Sequence, residues 1–157
     1  MVIENIAPIT IAYVRNVGPY KGDDRLFDQL YAQLFQWAVP HGFVHDKTFT
    51  LNIYHDNPEI TDRHKLRVMV AIPAEGAARR TGSIGLTRIA GGKYGVCRFL
   101  LKNSEFMEAW DWMFSVWLNN SGYEKDDRDT FERCRGEQII NGQRFFDVDI
   151  CIPVKAR

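Results

Sequence analysis

The chain has 157 residues, 45% of them apolar and 25% charged, the balance of one ordinary globular domain with a sizeable core. Its 20 Lys and Arg are matched by 20 Asp and Glu, so the formal net charge is zero. A direct nucleic-acid binder carries a basic surplus that displaces counterions from phosphates, and none is present here.

The opening MVIENIAPIT lacks the basic start and long apolar run of a secretory signal. No apolar stretch is long enough to span a bilayer, so a cytoplasmic protein without membrane contact is expected. Residues 9–17 (ITIAYVRNV) are β-branched and apolar, which predicts a strand ended by Gly18-Pro19. Asp23 or Asp24 then caps a helix in which Leu26, Leu30 and Leu34 recur every four residues, beside Phe27, Tyr31 and Phe35. Pro40 and Gly42 stop it. Strands are expected at about 48–55 and 65–73, joined by the turn-rich HDNPEITDRH. The segment 74–83 (AEGAARRTGS) reads as a loop. Strand material returns over 84–101, broken at Gly91-Gly92, and Asn103 or Ser104 caps a second helix. Phe106, Trp110, Met113 and Trp117 share a face of that helix, with Met107 and Phe114 adjoining, and Asn120-Ser121-Gly122 closes it. Strands near 130–135 and 145–154, separated by Asn141-Gly142, finish the chain.

Displacing the sequence by 80 positions superimposes unusual residues. Trp37 falls on Trp117, Gly42 on Gly122, Leu30 on Trp110, and Thr50-Leu51 on Thr130-Phe131. The run Val68 to Pro73 falls on Val148 to Pro153, and Ala12 to Arg15 matches Gly95 to Arg98 after a small register change. The expectation is an α+β fold of two strand–helix–strand–strand units, about 1–73 and 84–157, within one domain over 1–157. Either half alone would bury too little apolar surface. Two helices should lie over a largely antiparallel sheet, and the seam between matched halves is a natural place for a cleft.

Several chemistries lack their residues. The four histidines, His41, His45, His55 and His64, sit in or beside turns without zinc-ligand spacing, and read as solvated loop residues. No phosphate loop or nucleophile elbow occurs, so neither metal nor cofactor is expected. Cys97, Cys134 and Cys151 are widely spaced in apolar runs and read as buried free thiols. What remains is an aromatic surplus of 4 Trp, 6 Tyr and 10 Phe, suited to flat apolar or cationic compounds. Within it Glu132 stands out. Strand alternation puts Thr130, Glu132 and Cys134 on one face, matching Thr50, Asn52 and Tyr54 of the first half. If that face looks into the seam, Glu132 is a carboxylate among rings, with its pKa raised by burial and lowered again by an incoming cation. The alternative is a solvated Glu132, or one paired with Arg133 or Arg135.

The chain also resembles the GyrI-like family of small-molecule-binding proteins nearly end to end. The residues carrying the match are Val17-Gly18-Pro19-Tyr20, Tyr54-His55-Asp56-Asn57-Pro58-Glu59, and Ile89-Ala90-Gly91-Gly92-Lys93-Tyr94. Trp117-Leu118 with Ser121-Gly122-Tyr123-Glu124, then Phe131-Glu132, and the closing strand through Ile152-Pro153 complete it. The family contains stand-alone DNA gyrase inhibitory proteins, and its fold serves as the effector-binding domain of some AraC- and MerR-type regulators. The resemblance implies a curved sheet with two helices and a central cleft for hydrophobic or cationic compounds. It places the acidic residue of the Phe-Glu motif, here Glu132, at that cleft; Tyr20, Tyr54, Trp110 and Phe146 are the aromatics expected around it, with a core role on the helix stripe as the alternative for Trp110. Two departures are visible: Cys134 replaces the usual aromatic two residues after the acid, and Arg67-Val68-Met69 lacks an acidic neighbour common in the family. The expected function is non-enzymatic small-molecule binding, in toxin resistance or modulation of DNA gyrase through protein contact. The alternative is hydrolysis of strained cyclopropane-containing toxins, with Glu132 as general acid or base.

Overall fold

The computed structural model describes residues 2–20, 23–56, 60–77, 82 and 84–157. Part of the expected loop 74–83, and Asn57, Pro58 and Glu59 of the second turn segment, lie outside them. In chain order the elements are β1 (Val2–Ile6), β2 (Ile9–Val17), α1 (Asp24–Ala38), β3 (Thr50–Tyr54), β4 (Arg67–Pro73), β5 (Gly85–Ile89) and β6 (Gly92–Leu101). Then follow α2 (Phe106–Trp112), β7 (Tyr123–Lys125), β8 (Thr130–Ile140) and β9 (Gln143–Ala156).

All strand pairings are antiparallel, in the order β1-β6-β9-β8-β3-β4-β2-β5, with β7 attached to β9. β1 and β5 stand at opposite ends of that order. Yet β1 is joined to β2 by only Ala7 and Pro8, so the sheet must curl until its two ends approach. The result is an α+β half-barrel with the helices on its outer face. The inner face buries Ile11, Leu51, Ile53, Met69, Tyr94 and Phe131. On the outer face α1 packs Leu30, Leu34 and Trp37 against Val14, Val70 and Ile72. The second helix packs Ala109, Met113 and Trp117 against Val148, Ile150 and Ile152.

The offset that relates the sequence halves also relates the pairings. β3 and β8 meet with Asn52 opposite Glu132, Thr50 opposite Cys134 and Tyr54 opposite Thr130. Position 52 therefore faces its own counterpart, and the neighbours exchange roles about that rung. Leu51 opposite Ala71 becomes Phe131 opposite Cys151. The first strands are exchanged between halves: β1 pairs with β6, and β5 with β2 (Val2 opposite Val96, Ile9 opposite Ile89).

One local alternative is resolved, and several other local expectations are corrected. Asp23 caps α1, its side chain accepting from the Leu26 N–H at 3.0 Å. Neither Asn103 nor Ser104 caps α2. A 3₁₀ turn over Asn103–Glu105 leads into that helix, and the Glu105 carboxylate accepts from the Lys102 N–H at 2.8 Å. After Trp112 the helix loosens into a π-helical segment, Met113–Leu118, and Met107 and Phe114, expected beside the apolar face, are exposed. β8 and β9 run well beyond 130–135 and 145–154, because Asn141 and Gly142 adopt positive φ (51° and 77°) and hold a tight hairpin. β1 and β7 had no counterpart in the expectation.

Candidate functional site

Glu132 is the third residue of β8, opposite Asn52 on the helix-bearing face, and is 2% exposed. Three uncharged donors converge on it. Asn52 Nδ2 and the Tyr54 hydroxyl each donate to Oε1 at 2.9 Å, and Trp110 Nε1 donates to Oε2 at 2.6 Å. Asn52 and Tyr54 come from β3 across the central rung, and Trp110 comes from α2. No Lys, Arg or His pairs with Glu132 among the described residues. The anticipated partners are engaged elsewhere: Arg133 Nε and Arg135 Nε both bind Asp149, at 2.9 and 3.0 Å, and Arg133 also reaches Glu4.

Burial raises the Glu132 pKa, and the three hydrogen bonds only partly oppose that rise. A carboxylate taken from water needs opposite charge to offset the loss of hydration, and neutral donors supply only part of it. The surrounding phenols respond in kind. Burial first, and then the field of Glu132, pushes Tyr20 up to about 12 and holds Tyr54 well above the ordinary phenol.

Of the six positions expected at this site, Glu132, Asn52, Tyr54 and Trp110 are directly bonded. Tyr20 is buried one layer out, its ring 5.4 Å from that of Tyr54. Tyr54 in turn meets Trp110 edge-on at 5.8 Å. Phe146 stands apart, edge-on to Phe106 at 5.9 Å and covered by the Arg144 guanidinium at 4.7 Å. Tyr31 of α1 was not anticipated. Its hydroxyl donates to Asn52 Oδ1, which turns the amide so that Nδ2 points at Glu132. A hydroxyl-tipped ring beside the leucine stripe, needing a buried partner for its O–H, was the available signal.

Among the described residues no group of three or more His, Cys, Asp and Glu side chains is placed to hold a metal ion. The thiols are free; Cys97 and Cys151 are buried and Cys134 is half-buried. Burial raises all three pKa values, that of Cys151 to about 12, which leaves them unreactive. Two histidines are more than solvated loop residues: His55 Nδ1 lies 3.0 Å from Asp129, and His41 stacks on Trp37. No helix among the described residues is long and apolar enough to cross a membrane.

The fold, a curled antiparallel sheet with two helices, is shared with known proteins. The family model described as the GyrI-like small molecule binding domain matches residues 1–155. The chain belongs to the GyrI-like family. It is 28% identical over 157 residues to a DNA gyrase inhibitor of Klebsiella pneumoniae, covering 98% of this chain and 95% of that one. Its fold is similar to the EcmrR C-terminal domain, with a TM-score of 0.78 at 14% identity over 99% of this chain and 97% of the other. It is also similar to SAV2435 bound to tetraphenylphosphonium, with a TM-score of 0.63 at 12% identity over 98% and 93%.

Proposed function

We propose that this GyrI-like chain is a non-enzymatic receptor for lipophilic cations, held between the two helices with Glu132 as counter-ion. One observation carries the reading: a fully buried carboxylate has three neutral donors and no cationic partner among the described residues. A buried acid that lacks positive charge gains most from a ligand that brings it. The rings of Tyr20, Tyr54 and Trp110 supply apolar surface and quadrupole faces for the same ligand. Entry requires Trp110 to leave Oε2, and the short α2, loosened into π-helix after Trp112, is the element that would move. The similarity to a fold that binds tetraphenylphosphonium agrees in ligand class. In the cell, such binding would act as sequestration and resistance toward toxic cations.

Titration with tetraphenylphosphonium, followed by tryptophan fluorescence, tests this reading. We expect a saturable change in the wild type. Loss of a charge-assisted contact should weaken it by about tenfold or more in Glu132→Gln, with neutral aromatic compounds spared. Absence of saturation, or equal affinity in the variant, would remove the proposal. Assay of cyclopropane-containing toxins beside the titration separates binding from hydrolysis, since only turnover abolished by Glu132→Gln supports an enzyme.

A second reading, modulation of DNA gyrase by protein contact, is supported by the name of the Klebsiella pneumoniae relative and by end-to-end coverage. A supercoiling assay decides it: unchanged gyrase activity at excess protein rules the contact out.

A further inference from the structure

The two ends of the half-barrel's inner face are counterparts, and they are filled differently. At one end Arg98 of β6 faces Asp149 of β9 across a rung. Its guanidinium grips Asp147 with two bonds, Nε to Oδ1 at 2.9 Å and Nη2 to Oδ2 at 2.6 Å. Beside it, Arg133 and Arg135 converge on Asp149 while Arg133 extends to Glu4. That end is plugged by ion pairs.

The sequence offsets carry each member of the plug to the other end. Arg98 corresponds to Arg15, and Asp149 to Met69, which faces Arg15 across its rung. Arg133, Arg135 and Glu4 correspond to Ile53, His55 and Thr87. Asp147, the carboxylate that Arg98 grips, corresponds to Arg67. Every one of these counterparts lines a cavity of ≈ 390 Å³ on the inner face, across the sheet from Glu132. Ile53, Met69, His55 and Thr87, each shorter or apolar, stand where four charged members of the plug would be, and space remains. Its size is that of a small-ligand site, with Ile53, Met69 and Phe131 as apolar walls.

The charges sharpen the contrast. Arg15 has no hydrogen bond or ion pair with any described residue, because the position that would hold its carboxylate carries Arg67. Arg67 is itself held by Asp56 through two bonds at 3.0 and 2.9 Å. Arg128 is committed to Asp126 and to backbone carbonyls, and Arg88 donates to the Thr10 hydroxyl. Of the acids in the lining, Asp129 is paired with His55, and Asp127 bears the remaining negative charge. Arg15 is thus a guanidinium in the setting where its counterpart holds a carboxylate side-on, at the rim of a cavity lined by charged and apolar side chains in similar measure.

We propose that this inner-face cavity binds a small hydrophobic carboxylate, its carboxyl group gripped by Arg15 as Asp147 is by Arg98, and its apolar body against Ile53, Met69 and Phe131. Guanidinium and carboxylate match as a planar, two-bond pair, which sets this site's preference opposite to that of the Glu132 site. The proposal is independent of the cation reading, since the two sites lie on opposite faces of the sheet.

The test is a calorimetric titration with 1-naphthoate, with the neutral 1-naphthalenemethanol as control. Wild type should bind the anion saturably and more tightly than the alcohol. Arg15→Gln, an exposed substitution that leaves the fold intact, should weaken the anion by about tenfold or more. Glu132→Gln should leave its affinity unchanged. Arg67→Asp restores a carboxylate where Asp147 stands at the other end, and should abolish binding by pairing with Arg15. Absence of saturation at millimolar naphthoate, equal affinity in Arg15→Gln, equal affinity for the alcohol, or loss in Glu132→Gln would each overturn the proposal.

Discussion

Glu132 has consequences for pH as well as for ligands. Its pKa in the folded protein is raised above the ordinary glutamate value of 4.5, mainly by burial. The folded chain therefore holds this proton more tightly than the unfolded chain does. The stabilising contribution is fully present below about 4.5 and is lost as pH rises through the folded pKa. In Glu132→Gln this part of the pH dependence should vanish, so the wild-type urea midpoint should fall relative to that of the variant as pH rises from about 4 to 8. Parallel midpoints across that range would show that Glu132 titrates normally. The alternation of β8 and the match to Asn52 made Glu132 and its partner across the rung legible from sequence. Tyr31 and the distance of Phe146 were not, because they depend on how a helix is rotated over a sheet, which spacing alone leaves open.

At the scale of elements, the second helix makes one especially close approach to the sheet. Gly95 of β6 lies under the Trp117 ring, and an added Cβ would sit 1.9 Å from the ring carbon Cη2. The indole is 4% exposed and cannot retreat without displacing Met113 and the β9 side chains beneath. Gly95→Ala should therefore destabilise the protein by about 1–3 kcal/mol or more, the cost of overpacking a filled core. Denaturant unfolding checks this; a change below about 0.5 kcal/mol would mean that the helix floats over the sheet. Runs of β-branched residues and the two apolar stripes revealed both helices and most strands in advance. β1 and β7 escaped notice because they owe their strand conformation to distant partners, and β7 has only three residues. The π-helical segment left no mark in a sequence whose apolar spacing also suits an α-helix.

For the whole molecule, the exchange of β1 and β5 means that neither half completes its own sheet. A fragment ending near residue 80 keeps β1 but loses β6, on which β1 pairs, and its β2 loses β5. We expect each fragment alone to be largely unfolded and an equimolar mixture to regain the native circular dichroism spectrum. Independent folding of either fragment would contradict the two-half, one-domain reading. The repeat at an offset of 80 was visible in the residues themselves. The exchange was not, since strand partners cannot be read from internal similarity.

The rung where Asn52 meets Glu132 shows what joining two copies in one polypeptide permits. In a symmetric pair of identical halves, both places would carry the same side chain. Two acids there would confront each other at close range and repel, while two amides would present no charge. Because the halves share one chain, their sequences can diverge at this single position. One side keeps the acid, and the other supplies a neutral amide that steadies it. A lone anion on a near-symmetric axis is thus available to a covalently fused pair and closed to a homodimer.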